Sequence, residues 1–196
     1  MVIDLHIDQN HLLDRAQRIN VVGNSGVGKS TFARQLADIK GIPYVQMDQL
    51  FWNADWQEST DEAFFSKLEG ALAAESWVLD GNYTRSIPIK WERTEVVVFL
   101  DLPFYQNLSQ ILRRSYRRAV SGEELWPGTG NTETFSRALL SKESIILWSI
   151  NNHKVNRQRY LDPNHFTDFP HIQLLHLSSR QAIEGCLRQA RDTLQR

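Results

Sequence analysis

Residues Gly23-Asn24-Ser25-Gly26-Val27-Gly28-Lys29-Ser30 follow the spacing G-x-x-x-x-G-K-S, a pattern that carries its own mechanism. Arg18-Ile19-Asn20-Val21-Val22 before it reads as a short strand, and Thr31 to Ala37 after it reads as a helix. That strand–loop–helix setting is what the pattern requires. Glycines at 23, 26 and 28 permit backbone angles and close approaches that a side chain would block. Successive backbone N–H groups can then converge on a phosphate, helped by the positive end of the following helix. Lys29 is placed to reach the β- and γ-phosphates, and the Ser30 hydroxyl to ligate Mg²⁺. The loop predicts nucleoside triphosphate binding without saying where a phosphoryl group goes.

With 196 residues and 41% apolar side chains, the chain predicts a single domain over 1–196 with ample material for a core. A formal net charge of −1 argues against a general nucleic-acid binder and leaves room for a local basic site. Cys186 is the single cysteine, which excludes an internal disulfide framework and any cysteine-based zinc site. It falls among Ile183, Leu187 and Ala190, where it reads as a small buried residue. Met1 to Asn20 carries Asp4, Asp8 and Asp14 and no sustained apolar run, so no export signal is expected. No stretch suits a bilayer. A cytoplasmic location is the expectation, in a compartment that supplies ATP and Mg²⁺.

Beyond the first helix, Gly41-Ile42-Pro43 marks a turn and Tyr44 to Met47 a short strand. Phe51 to Asp55 reads as irregular and Ser59 to Ala74 as a helix capped by Ser59 or Thr60. Trp77-Val78-Leu79 and Glu95 to Leu100 read as strands. A helix follows from about Phe104 to Val120, then an exposed loop or lid from Ser121 to Thr134 containing Pro127, Gly128 and Gly130. Lys142 to Tyr160 reads as helix, His171 to Leu177 as strand and Arg180 to Leu194 as helix. Alternating strands and helices predict an α/β fold with a mainly parallel sheet. Ligands in such sheets bind beyond the carboxyl ends of the strands, which directs attention to Gly23, Asp48, Asp80, Asp101 and Ser178.

An apolar strand ending in Asp80 matches the carboxylate that holds Mg²⁺, directly or through water, in phosphate-loop enzymes. The alternative is a turn residue in Asp80-Gly81. Asp48 is placed to orient an acceptor hydroxyl or take its proton, or else to serve as a cap. Asp101, before Leu102-Pro103, reads as structural. Arg113, Arg114, Arg117 and Arg118 share faces at i, i+4, where their mutual repulsion would be relieved by a polyphosphate. A solvated basic helix pairing with Glu123 and Glu124 is the alternative. Arg85 is a candidate for an anionic group on the acceptor. Arg157 and Arg159 are weaker candidates for phosphate contacts. Trp52, Trp56, Tyr83 and Trp126 fall in loops near the strand ends, as stacking or packing residues.

These residues resemble the nucleoside-monophosphate-kinase group of phosphate-loop kinases, which includes adenylate and shikimate kinases. More narrowly, Met47-Asp48-Gln49-Leu50-Phe51-Trp52 with Trp56, and Trp77-Val78-Leu79-Asp80-Gly81-Asn82-Tyr83, resemble the adenylate-kinase-related bacterial topology modulation proteins. The resemblance implies a three-layer fold with a five-stranded parallel sheet in the order 2-3-1-4-5, helices on both faces, and a lid and acceptor region over about 104–160. It implies donor-nucleotide binding by Gly23, Asn24, Ser25, Gly26, Val27, Gly28, Lys29, Ser30 and Thr31. It implies acceptor binding by Asp48 and Arg85, although Arg85 stands one residue beyond the adenylate kinase spacing. Gln46 replaces the partner aspartate of the shikimate kinase pattern. Arg113, Arg114 and Arg117 fall where lid arginines begin, and Ser178-Ser179-Arg180 where the donor adenine lies. The lid is too short to carry zinc.

The expected function is transfer of the γ-phosphoryl of MgATP to a small acceptor, with Lys29, Asp48, Arg113 and Arg117 catalytic and Ser30 and Asp80 on the metal. A nucleotide-dependent ATPase or regulator acting on nucleic acid is the alternative. A degenerate module without turnover is disfavoured by the intact Gly28, Lys29, Ser30 and Asp80.

Overall fold

A computed structural model describes residues 12–135 and 145–194. The expected helix start at 142, part of the lid and the first residues of the chain lie outside them. Five parallel strands, β1 (Arg18–Gly23), β2 (Tyr44–Gln46), β3 (Trp77–Asp80), β4 (Val96–Leu100) and β5 (Gln173–Leu177), form one sheet in the order β2-β3-β1-β4-β5. Among the described residues the α-helices are α1 (Leu12–Arg15), α2 (Lys29–Lys40), α3 (Met47–Phe51), α4 (Asp61–Leu72), α5 (Ile87–Lys90), α6 (Phe104–Ser121), α7 (Ile145–Leu161) and α8 (Arg180–Leu194).

The central strands are apolar almost throughout because both faces of the sheet are covered. Val96, Val98 and Leu100 of β4 pack with Phe32, Ala33 and Leu36 of α2 and Leu187 and Ala190 of α8. The alternate residues Val97 and Phe99 turn to the other face, against Trp91 and Tyr160. A third cluster, holding Met47, Phe51, Phe64, Leu68 and Leu79, lies under the β2 edge. Cys186 is partly buried against the α2–α8 layer, and burial pushes its thiol up to about 12, as suits a packing residue.

Two expectations shift. Met47 does not extend β2: it is fully buried and opens α3, so Asp48 stands in the first turn of a short helix rather than at a strand end. Phe51 to Asp55 is not irregular throughout, since Phe51 closes α3 and a 3₁₀ turn covers Ala54–Trp56. Thr60, not Ser59, caps α4, its hydroxyl accepting from the Ala63 N–H at 3.3 Å.

Candidate active site

The register brings the phosphate loop and its partners together. Asp80 of β3 stands beside Val21 of β1, and Gly23 beside Leu100 of β4, so the loop leaves the sheet between two strand ends. Asn82, just past β3, grips the loop at its root: its amide donates to the Gly23 carbonyl at 2.6 Å and accepts from the Gly23 N–H at 3.0 Å. Gly26 has φ +79°, and a Cβ there would lie 2.1 Å from Cγ1 of Ile111, so the loop rests directly on α6. Gly28 caps α2 in the left-handed region, φ 101°, with its carbonyl accepting from the Phe32 N–H at 2.9 Å. Lys29 folds back along the loop, its Nζ donating to the Asn24 carbonyl at 3.0 Å.

Asp80 is 4% exposed. Its Oδ2 accepts from the Tyr44 hydroxyl at 3.1 Å, while Oδ1 is buried without a hydrogen-bond partner. Burial pushes the Asp80 carboxyl up, and the Lys29 ammonium and Ser30 hydroxyl oppose that rise. Burial likewise lowers the Lys29 ammonium, which Asp80 and Asp48 counter. An orphaned carboxylate oxygen beside a hydroxyl suits Mg²⁺, a cation that takes few protein ligands and completes its shell with phosphate oxygens and water. Among the described residues, no group of three His, Cys, Asp or Glu side chains forms a metal cluster. Ser30 and Asp80 fit such an ion by their donor set, a hydroxyl beside an unpaired carboxylate oxygen.

Asp48 faces the same space from α3, and its Oδ1 accepts from the Tyr83 hydroxyl at 2.8 Å. Burial, then the Asp48 charge, drives the Tyr83 phenol well above its ordinary value, so it stays a donor. Arg85 is engaged elsewhere. It lies 3.1 Å from Asp61, with its guanidinium 4.8 Å from the centre of the Phe51 ring.

The arginine cluster divides by helix face. Arg113 and Arg117 are exposed, away from the loop. Arg114 turns inward, its Nη2 donating to the Ser25 hydroxyl at 3.2 Å, and Arg118 sits 3.6 Å from Glu133. Burial lowers Arg114, Arg118 adds to that, and Glu133, Asp48 and Asp80 oppose it. Of the arginines on α6, Arg114 reaches the phosphate loop rather than the expected Arg113 or Arg117, because α6 buries Asn107, Ile111 and Ser115 and so rotates residue 114 towards the loop.

Asp101, expected to be structural, is tied to two neighbouring side chains. Burial alone would raise it, but hydrogen bonds from His176 at 3.0 Å and Arg157 at 2.9 Å hold it below the usual carboxylate range. Arg159 donates to Thr84 at 3.0 Å. Ser179 opens α8, accepting from the Ala182 N–H at 3.1 Å. Trp52, Trp56 and Trp126 form one cluster, with the Trp52 and Trp126 rings 6.3 Å apart and near parallel. Asn131, which the sequence did not single out, pins it by accepting from the Trp56 N–H at 2.9 Å and donating to the Asn53 carbonyl at 2.8 Å. Tyr44 and Asn82 were also missed as partners: no spacing marks Tyr44, whereas Asn82 directly follows the Asp80-Gly81 pair.

No family model matches the chain, and no curated protein matches it in sequence. Among solved structures it is similar to a gluconokinase from Sinorhizobium meliloti 1021, at 16% identity over 91% of each chain, with a TM-score of 0.50. It is similar also to a sugar kinase from Janibacter sp. HTCC2649, at 16% identity over 91% of this chain and 94% of that one, with a TM-score of 0.51. At such identities the likeness speaks for the fold alone, an α/β fold that in this chain is built on a five-stranded parallel sheet.

Proposed function

We propose that the protein is a phosphate-loop kinase that moves the γ-phosphoryl of MgATP to a hydroxyl of a small acceptor. One observation carries the reading. Lys29, Asp80, Asp48 and Arg114 come from four separate segments, yet each lies within electrostatic reach of the others around the phosphate loop. Two cations and two carboxylates at one focus suit a reaction in which charge builds on a transferring phosphoryl group and an acceptor loses a proton.

In this reading the loop amides from Gly23 to Thr31 hold the donor phosphates, and Lys29 swings from the Asn24 carbonyl onto the β- and γ-phosphates. Arg114, already at Ser25, lies against the γ-phosphoryl. The acceptor oxygen forms its bond to the γ-phosphorus as the bond to the β–γ bridging oxygen breaks, ADP leaves with that electron pair, and Asp48 takes the acceptor's proton. Tyr83 fixes the Asp48 carboxylate for that role. Bound Mg²⁺, held through Ser30 and Asp80, would neutralise charge on the phosphates. Arg85 lies within the aromatic layer beside Asp48 and would need to leave Asp61 to meet an anionic acceptor. The nucleoside-monophosphate-kinase group, and within it the topology modulation proteins, remains the finer placement that the sequence resemblance supports. A cytoplasmic setting belongs to the same reading.

The ATPase alternative draws on a different surface. Arg113 and Arg117 stand exposed on α6 with Tyr105 and Tyr116, a basic and aromatic face outside the phosphate loop. One assay separates the two. Purified protein is incubated with MgATP and panels of nucleosides, nucleotides, sugars and other hydroxyl metabolites, and ADP release is followed. Acceptor-dependent release that vanishes in Lys29→Ala supports the kinase. Release that DNA stimulates and no small acceptor does would sink it.

A further inference from the structure

Three buried side-chain atoms without a hydrogen-bond partner belong to residues that line one small cavity: Oδ1 of Asn24, Oδ1 of Asn107 and Nδ2 of Asn156. The residues are 6%, 1% and 4% exposed, and they come from the phosphate loop, α6 and α7. The Asn24 amide nitrogen is already committed, donating to Ser149 through its carbonyl at 3.0 Å and its hydroxyl at 2.8 Å. Its Oδ1 is therefore fixed as an acceptor. About 10 Å³ of the cavity is open to the centre of a water molecule, which is space for one.

The partners decide the occupant. Two carbonyl oxygens want donors and one amide N–H wants an acceptor. An anion would face both carbonyls and the Asp101 carboxylate. A cation would face the Asn156 amide hydrogens and Arg157, which also lines the space. A neutral molecule with two donors and a free lone pair satisfies all three atoms together. We propose that Asn24, Asn107 and Asn156 bind a single internal water that joins the phosphate loop to α6 and α7. The water donates to Asn24 Oδ1 and Asn107 Oδ1 and accepts from Asn156 Nδ2. With Gly26 seated on Ile111 and Arg114 bonded to Ser25, it gives the loop a third tie to α6 and one to α7 beyond Ser149. The inference stands whether or not the protein is a kinase.

A crystal structure of the full chain, at a resolution that shows ordered solvent, tests it directly. One solvent peak about 2.7–3.2 Å from all three atoms is the expected result. A dry cavity, a peak with an ion's contacts or anomalous signal, or the three amides closing onto one another overturns it. In solution, oxygen-17 relaxation dispersion should count one fewer long-lived water in Asn107→Leu/Asn156→Leu than in the unaltered protein. An unchanged count would also overturn the proposal. Urea midpoints of the two single variants and the double variant give a separate readout. Partners sharing one water should show a double-variant loss smaller than the sum of the singles, and strict additivity would count against a shared ligand.

Discussion

Arg114 reaches across from α6 to the Ser25 hydroxyl at 3.2 Å, while its Nε is buried with no partner. A guanidinium with one arm on the phosphate loop and another donor unspent suits an incoming γ-phosphate. Arg114→Ala should lower acceptor-dependent ADP release by roughly 10²–10³-fold, the scale of losing one donor to developing charge. Arg113→Ala and Arg117→Ala, at exposed positions, should stay within about threefold, as exposed charges contribute little. Equal losses in all three variants would show that α6 acts through its total charge rather than through Arg114.

The Tyr83–Asp48 contact at 2.8 Å separates two roles for the carboxylate. If Asp48 takes the acceptor's proton, Asp48→Asn should lower kcat by about 10²–10⁴-fold, with a smaller change in KM. Tyr83→Phe removes only the orienting hydrogen bond, so its kcat should fall about tenfold or less. A loss in Asp48→Asn confined to KM would instead make Asp48 a binding residue.

The sequence exposed the donor half of the site better than the rest, for physical reasons. Gly23 to Ser30 acts through its own backbone, and β1, β3 and β4 are buried on both faces, so glycine spacing and apolar runs reveal them without knowledge of neighbours. Asp48 was read at a strand end rather than in a helix, because Met47 is apolar enough to extend a strand, whereas the fold buries it against Gly81 as the first residue of α3. A Cβ on Gly81 would lie 2.8 Å from Met47, a proximity that no local pattern encodes. The four arginines were ambiguous because α6 carries two competing stripes. Asn107, Ile111 and Ser115 face inward, while the more apolar Leu112, Tyr116 and Val120 lie exposed. Hydrophobicity alone selects the second stripe. Tertiary packing puts the first stripe inward instead, with Asn107 and Ile111 against Gly26 of the phosphate loop. The surroundings of Arg85 were not legible for a similar reason, since its pairing with Asp61 and its place over the Phe51 ring depend on tertiary contacts.

Packing of Gly26 on Ile111 yields a prediction independent of catalysis. In Gly26→Ala the new methyl would meet Ile111 Cγ1 at 2.1 Å, and the backbone would still need φ +79°. Overpacking costs about 1–3 kcal/mol, and a side chain in the left-handed region about 1–2 more. Nucleotide affinity should fall along with the urea midpoint, because the loop can yield only by moving away from α6. Ile111→Ala, a fully buried truncation, should cost about 2–5 kcal/mol alone. The double variant should lose less than the sum, since the shortened side chain makes room for the methyl. Additive losses, measured by urea unfolding, would mean that the loop and α6 do not press on one another in solution.

Lys90 gives the loop a pH-dependent support. Its side chain is wholly buried, and its Nζ donates to the backbone carbonyl of Asn82, the residue whose side-chain amide both donates to and accepts from the Gly23 backbone. Burial pushes the ammonium down to about 7, with the Arg159 charge adding to the effect and His165 also nearby. In the unfolded chain a lysine keeps its proton to about pH 10.4. Between about pH 7 and 10 the unfolded state therefore binds the extra proton, and the folded state gains stability as pH rises through that window. Below about pH 7 both states are protonated and the contribution is level. The slope is at most ~1.4 kcal/mol per pH unit. Lys90→Met removes this titration while leaving Cys186 and the tyrosines to ionise as before. The unfolding free energy of Lys90→Met minus that of the unaltered protein, measured by urea at intervals from pH 7 to 9, should therefore fall steadily as pH rises. Lys90→Met should have its greatest relative stability at the low end. A difference constant across the window would mean that Lys90 stays charged inside the fold, bonded to the Asn82 carbonyl as an ammonium.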